Sequence, residues 1–332
     1  MNSDNKLAVV FGQNGMLGHE VVDAFKSAGW TVATPDENTT FEVNIGENIG
    51  LKVFFDKVRD SYGKPMDAVV NAAAFTNVDK CETFEEIAYR TNCLGAKFLA
   101  ENCIRHKVKM FVHVSTDYVY DQDWHGLLCP GFNLYHPANA YGRTKLAGDL
   151  AIEAIYKHAM SNGTATKDIG YLIARTSRLF GKYRYSFVDF VCETCLSSVN
   201  GKESPSSPQP LIDMNTTIPT SAKFVAEEIV KRCDCEEPVR SGYVNLVSKC
   251  RDTADAPTVY GYAEAIYEIL NDLGLKPYKW FARDSKKFYE QCEVPRPLIS
   301  TMATSVEDAP HWRDALKTYI KEKYIDEKAK TV

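Results

Sequence analysis

Two residues near the middle of the 332-residue chain have the types and spacing for proton chemistry: Tyr141 and Lys145, in Ala140-Tyr141-Gly142-Arg143-Thr144-Lys145. They follow a strand-like run that ends Val114-Ser115-Thr116. On a helix, positions i and i+4 share a face, so the phenol and the ammonium can enter one pocket. A nearby ammonium favours phenolate, and it is expected to draw the tyrosine pKa down from about 10. A tyrosine so tuned can exchange a proton with a hydroxyl or a carbonyl. Taken alone, Tyr-x-x-x-Lys reads equally as part of a surface helix, so the segments around it must decide.

A second chemical segment stands near the start. Gly12-Gln13-Asn14-Gly15-Met16-Leu17-Gly18 follows the apolar run Leu7-Ala8-Val9-Val10-Phe11 and opens a helical pattern over His19–Ala28. Gly12, Gly15 and Gly18 permit a tight turn and let backbone approach a pyrophosphate at the positive helix N-terminus. The strand–turn–helix context favours a dinucleotide site over a merely structural turn. After the second strand, Trp30–Ala33, comes Ala33-Thr34-Pro35-Asp36-Glu37. Asp36 reads equally as an acid on a ribose 2′-hydroxyl or as an exposed turn residue. No Arg or Lys is adjacent to mark a 2′-phosphate, so NADP(H) and NAD(H) both stay open.

These segments lie on an alternating pattern. Strand signals at Leu7–Phe11, Trp30–Ala33, Asp67–Asn71, Met110–Val114 and Gly170–Ala174 are separated by helical spacing over His19–Ala28, Ile49–Tyr62, Phe84–His106 and Thr144–Met160. Continuous apolar strands alternating with helices predict an α/β fold, a Rossmann-type doubly wound parallel sheet covered on both faces. After about residue 176 the pattern loosens. A proline- and serine-rich loop at Gly201–Pro210 is followed by a short strand at 210–212, helices near Ser221–Cys233 and Val259–Leu273, a strand at Gly242–Val247 and a last helix around Trp312–Tyr324. The expected organisation is a dinucleotide-binding domain over 1–175, with 211–250 returning to it in part. A smaller, interleaved α/β substrate-binding lobe occupies 176–332.

Composition narrows the function classes. Hydrophobic residues are 45% and charged residues 25% of the chain, ordinary values for a globular protein. The formal net charge of −5 and scattered basic residues give no case for binding nucleic acid. No apolar run is long enough to span a membrane, and Met1–Lys6 leads into the first strand without a signal-like apolar segment; a cytoplasmic location is expected. Of the ten cysteines, Cys192 with Cys195 and Cys233 with Cys235 have the spacing to raise the question of a metal. A zinc site needs thiolates presented from turns, whereas Phe187–Leu196 looks helical, so free thiols and no metal are expected.

Three further segments carry a resemblance. Val69-Val70-Asn71-Ala72-Ala73-Ala74-Phe75-Thr76-Asn77-Val78-Asp79-Lys80-Cys81-Glu82, then Ser115-Thr116-Asp117-Tyr118-Val119-Tyr120, then Asn139–Gly148 around Tyr141 and Lys145, come in this order and spacing. Together they closely resemble the dTDP-4-dehydrorhamnose reductase family of the extended short-chain dehydrogenase/reductase superfamily, to which the Gly-x-x-Gly-x-x-Gly loop is also similar. Ala174–Ser177, Ile218–Thr220, Gly242–Leu246 and Arg296-Pro297 sit where that family has similar residues. The resemblance implies NAD(P)H-dependent reduction of the C4 carbonyl of a nucleotide-linked 4-keto-6-deoxysugar, dTDP-4-dehydro-L-rhamnose in that family. It implies a catalytic triad of Thr116, Tyr141 and Lys145, which the separation 141 − 116 = 25 suits. It places Gly15, Met16, Leu17, Ala74, Phe75 and Thr76 along the cofactor, Asn44 and Ile45 on its adenine side, and Asp117 against the sugar nucleotide.

The chain departs from that family in one place. After Arg175-Thr176-Ser177 the bacterial reductases have a large aromatic residue, and here stands Arg178. A guanidinium there suits a sugar or a diphosphate, and it reads otherwise as a surface arginine. The Asp121–Pro137 and Gly201–Pro210 segments also look lengthened. The regulatory beta subunit of methionine adenosyltransferase shares the dinucleotide motif and the Tyr-x-x-x-Lys pair, and it gives the alternative: a non-catalytic protein whose partner is a catalytic subunit. The Asn71–Lys80 run looks more like the reductases, for which a homodimer stays open. Dehydratases carry a Glu beside the acid that follows the catalytic Thr. Asp117 is instead followed by Tyr118.

Overall fold

Every residue of strand β1 (Leu7–Phe11) is buried, because both of its faces are covered. Leu7, Val9 and Phe11 pack against Leu51, Phe54, Phe55 and Val58 of the Asn48–Tyr62 helix. Ala8 and Val10 face the other way, onto Leu17, Val21 and Phe25 of helix α1 (Met16–Ser27). Side chains alternate across a strand, so a continuous apolar run is what a strand with two covered faces requires. Strands β2 (Thr31–Ala33), β3 (Ala68–Asn71), β4 (Met110–Thr116) and β5 (Gly170–Thr176) follow along the chain. In β4 the split recurs, Phe111 entering the first layer and Met110 and Val112 the second.

The computed structural model describes residues 6–327 except 36–42, 122–123, 125, 133, 198–207, 215, 236–240 and 285–292. Its central sheet has six parallel strands in the order Gly242–Asn245, β5, β4, β3, β1, β2. The protein is thus α/β, with a Rossmann-type sheet. The chain leaves β1 for β2 on one side and returns for β3 on the other. The crevice at such a reversal, outside the carboxyl ends of the strands, is where open α/β sheets bind ligands. From the second half of the chain, the Ala222–Cys233 helix packs beside α1 and the Gly242–Asn245 strand extends the sheet past β5. A separate apolar core joins the Phe187–Cys195, Val259–Asp272 and Trp312–Lys321 helices through Val188, Cys192, Tyr262, Ile266, Trp312 and Leu316.

Two elements differ from expectation in ways that matter for the site. The helical stretch expected over Phe84–His106 is broken into Glu85–Tyr89, a π-helical turn at Arg90–Gly95 and Ala96–Arg105, and a further short helix, Val78–Thr83, precedes it. Widened turns of this kind occur often at functional sites. The helix expected from Thr144 begins four residues earlier, at Ala140, because Asn139 caps it by accepting a hydrogen bond from Gly142 N at 3.0 Å. Cys192 and Cys195 lie inside a helix as expected, and burial pushes both thiols up, Cys195 to about 12. They act as small hydrophobes. Cys233 is buried and Cys235 exposed, so that pair does not share one environment. Of the proline- and serine-rich segment, residues 201–207 lie outside the described residues.

Candidate active site

A cleft of about 820 Å³ opens at the carboxyl ends of β1, β3 and β4. Its first wall is the glycine loop. Gly12 has a left-handed backbone (φ +79°), and a Cβ there would fall 2.5 Å from Ala73 N. A Cβ on Gly18 would lie 1.9 Å from Gly12 O, so Gly18 stands behind the wall and holds the loop closed against α1. Gly15 is different. Its backbone is ordinary (φ −84°), and a Cβ would meet only Gly12 O, at 3.1 Å. The space beside it belongs to the cleft. Gly15 also forms the N-cap of α1, where no side chain caps the helix. An open glycine cradle at an uncapped helix N-terminus fits a diphosphate through backbone N–H groups and the helix dipole.

Met16, Leu17, Ala74 and Thr76 line the same cleft. Phe75 does not; it packs with Cys81, Ala88 and Ala140 beneath Tyr141. Its backbone is fixed by Asn92 of the π-helical turn, whose Oδ1 accepts from Phe75 N at 2.8 Å and whose Nδ2 donates to Phe75 O at 3.1 Å. Asn44 and Ile45 line an adjoining pocket of about 370 Å³ together with Gly12, Gln13, Pro35 and Ala73. Ile45 is buried there, while Asn44 Oδ1 accepts from Gly46 N at 3.0 Å and so serves the turn. Asp36 lies outside the described residues.

The opposite wall carries the proton chemistry. Glu82 accepts from Ala140 N at 2.6 Å and ties the Val78–Thr83 helix to the start of the Ala140–Ser161 helix. Gly142 lets that first turn reach the chain after β4, since a Cβ there would lie 2.3 Å from Tyr118 O. Tyr141 thereby enters the cleft with its phenol facing the Thr116 hydroxyl, its hydrogen-bond partner. Thr116 Oγ1 donates to Asp117 Oδ1 at 2.9 Å, and Asp117 Oδ2 accepts from Ser300. The rings of Tyr118 and Tyr141 meet edge to face at 5.7 Å. Burial raises the Asp117 pKa to about 6, against the pull of the Ser300 and Thr116 hydrogen bonds and of the Arg178 charge. Arg178 lines the cleft with its guanidinium 5.8 Å from the Phe187 ring.

The expected coupling of Lys145 to Tyr141 is corrected here. Lys145 reaches the cleft, but Nζ lies 2.9 Å from His113 Nε2 and donates to Val114 O at 2.7 Å. Burial pushes the Tyr141 phenol up rather than down. The spacing put the two residues on one face correctly, yet spacing cannot show that the ammonium end has its own buried partners. A phenol that keeps its proton is a donor, not a base.

Several lining residues carried no local signal. Ser300, Thr216 and Thr217 come from the second half of the chain, and Arg184 crosses to the glycine loop, donating to Asn14 O at 2.8 Å. Asn92 and His113 stand behind the wall: Asn92 holds the Phe75 backbone and Thr144, and His113 holds Lys145, which lines the cleft. Their neighbours in the sequence are ordinary helix and strand residues, so only the folded chain exposes their contacts.

The sequence profile of the RmlD substrate binding domain matches residues 6–325. The chain belongs to this family. Among curated members, the spore coat polysaccharide biosynthesis protein SpsK of Bacillus subtilis is 28% identical, over 95% of this chain and 97% of its own. The dTDP-4-dehydrorhamnose reductase of Mycobacterium tuberculosis is 27% identical, over 76% of this chain and 75% of its own. Among solved structures, the Bacillus anthracis dTDP-4-dehydrorhamnose reductase in complex with NADP superposes with a TM-score of 0.76 at 20% identity, covering 97% of this chain and all (100%) of that one. At that identity the likeness is one of fold. Across the RmlD-type chain described here, no helix is long and apolar enough to cross a membrane among the described residues.

Proposed function

We propose that this protein is an NAD(P)H-dependent reductase of a nucleotide-linked 4-keto-6-deoxysugar, with dTDP-4-dehydro-L-rhamnose as its substrate. One observation carries the reading. The Tyr141–Thr116–Asp117 chain opens into the same cleft as the uncapped glycine loop, so a proton donor faces the place where a dinucleotide fits. The names of the relatives support the substrate class.

In this reading Gly12, Gly15, Met16, Leu17, Gly18, Ala74, Phe75 and Thr76 form or back the cofactor wall, and Asn44 and Ile45 the adenine-side pocket. A reduced nicotinamide supplies the hydride that goes to C4. Tyr141 gives its hydroxyl proton to the C4 oxygen as charge develops there, which completes the alcohol and leaves a phenolate to be reprotonated. Thr116 would turn its single hydroxyl proton from Asp117 to the same oxygen and orient it, while Lys145 supports the nicotinamide ribose. Asp117 and Arg178 face the sugar nucleotide. The protein's contribution is positioning and electrostatics; the hydride chemistry belongs to the cofactor.

The test is turnover by the purified chain with dTDP-4-dehydro-L-rhamnose and each reduced nicotinamide in turn, alongside direct measurement of cofactor binding. Turnover with at least one of them is expected. Tight cofactor binding without turnover of this or a related dTDP-4-keto sugar would instead favour a regulatory dinucleotide-binding subunit.

A further inference from the structure

The segment Gly181-Lys182-Tyr183-Arg184-Tyr185-Ser186 leaves the short strand Leu179–Phe180 and passes the glycine loop before the Phe187–Cys195 helix begins. It is fixed at both ends. Gly181 packs against the cofactor wall, where a Cβ on it would lie 3.4 Å from Met16 Cγ and 3.1 Å from Ala222 Cβ. Ser186 caps the following helix, its N and Oγ each donating to Asp189 Oδ2 at 2.7 Å. Between these ends Tyr183 stacks on His19 of α1 with ring centres 4.6 Å apart, and its hydroxyl donates to Asp23. Lys182 Nζ lies 3.5 Å from the same carboxylate.

This strap carries Arg184 to the glycine loop. Its Nε and Nη2 donate to Asn14 O at 3.2 and 2.8 Å, one residue before Gly15. That contact uses two of the five guanidinium N–H groups. Among the described residues Arg184 has no further hydrogen-bond or ion-pair partner, so its charge is unmatched. Arg184 also lines the cleft together with Gln13, Asn14, Gly15 and Met16. The other cations along that cleft serve elsewhere: Lys145 donates to Val114 O, and Arg178 acts on Asp117. The loop itself needs a cation. The dipole of α1 supplies only about half a positive charge at its N-terminus, less than a diphosphate carries. No acidic residue stands in the first turn of α1 to oppose an anion there.

We propose that Arg184 is a cofactor-binding residue: anchored on Asn14 O, it holds the dinucleotide diphosphate together with the N–H groups at the start of α1. A guanidinium fork matches phosphate oxygens, and the strap orders it before the ligand arrives, which lowers the cost of binding. This role rests on the dinucleotide site at the glycine loop and is independent of the sugar reduced.

Binding is measured directly on the full chain, by fluorescence titration for NADPH and by calorimetry for ADP-ribose. ADP-ribose keeps the diphosphate but lacks both the nicotinamide and the 2′-phosphate. Arg184→Ala should weaken both ligands by a similar factor, roughly tenfold, as loss of a charge-assisted hydrogen bond implies. Arg184→Gln, which keeps a donor for Asn14 O without the charge, should lose as much, and Arg184→Lys should recover part of the affinity. A loss confined to NADPH would move the guanidinium to the 2′-phosphate or the nicotinamide and overturn the proposal. Affinities within about twofold of wild type, even with a lowered melting temperature, would make Arg184 a brace for the loop alone, overturning the proposal and leaving the dinucleotide site intact. A wild-type chain that binds neither ligand would remove that site and the role of Arg184 with it.

Discussion

Tyr141, Asp117 and Arg178 share one cleft, but each should fail differently when altered. Tyr141→Phe removes the proton donor and little else, since the ring keeps its contact with Tyr118. General acid catalysis contributes about 10²–10⁴-fold, so turnover should fall by that much while cofactor affinity stays near wild type. Asp117 makes a pH prediction. Its folded-state pKa stands at about 6 against 3.8 for the free group, so between these values the folded chain holds a proton that the unfolded chain has released. Stability attributable to Asp117 therefore falls as pH rises through that window, by about 3 kcal/mol in all. Asp117→Asn should gain on wild type by that order between pH 4 and pH 7 in denaturant unfolding. A difference constant with pH would contradict the assignment. For Arg178→Ala, loss of a charge-assisted hydrogen bond of about 1.5–3 kcal/mol should raise KM roughly ten- to a hundredfold with kcat less affected. A KM within about twofold of wild type would place Arg178 outside the substrate site.

At the scale of elements, the glycine loop separates two effects that a motif treats as one. Gly15→Val places a side chain in the cleft at an ordinary φ, with one tight approach to relieve, from Cβ to Gly12 O at 3.1 Å, far milder than the clash at Gly18. It should abolish NADPH binding in a fluorescence titration while leaving the melting temperature of the free protein nearly unchanged. Gly18→Ala drives its Cβ into Gly12 O and should lower the melting temperature itself. Equal melting temperatures for the two variants would contradict the geometry. The loop, the strand ends and the Tyr141 turn were legible in the sequence because each is a local pattern of strand, turn and helix. The π-helical turn was not. Its apolar spacing reads as continuous helix from Phe84, and only the tertiary bonds from Asn92 to Phe75 and Thr144 reveal the extra width. The direction of the Tyr141 shift escaped for a similar reason: i,i+4 spacing reports a shared face but neither burial nor the partners of Lys145.

At the scale of the molecule, the cleft is built by both halves of the chain. Ser300 meets Asp117 across 183 residues of sequence, and Thr216 and Thr217 line the same space. The alternating first half announces a doubly wound sheet, whereas the short strands of the second half, such as Thr216–Thr217 paired with Ile299–Ser300, carry too few residues for a periodic signal. The part of the cleft drawn from this half is therefore what the sequence shows least. The most direct measurement of the central claim follows the hydride itself. Purified protein is given dTDP-4-dehydro-L-rhamnose and nicotinamide cofactor deuterated at its reactive carbon, and the sugar product is read by NMR for wild type and Tyr141→Phe. Deuterium is expected at C4 of the wild-type product, formed about 10²–10⁴-fold more slowly by the variant. A sugar without deuterium at C4, or equal rates for the two proteins, would contradict it.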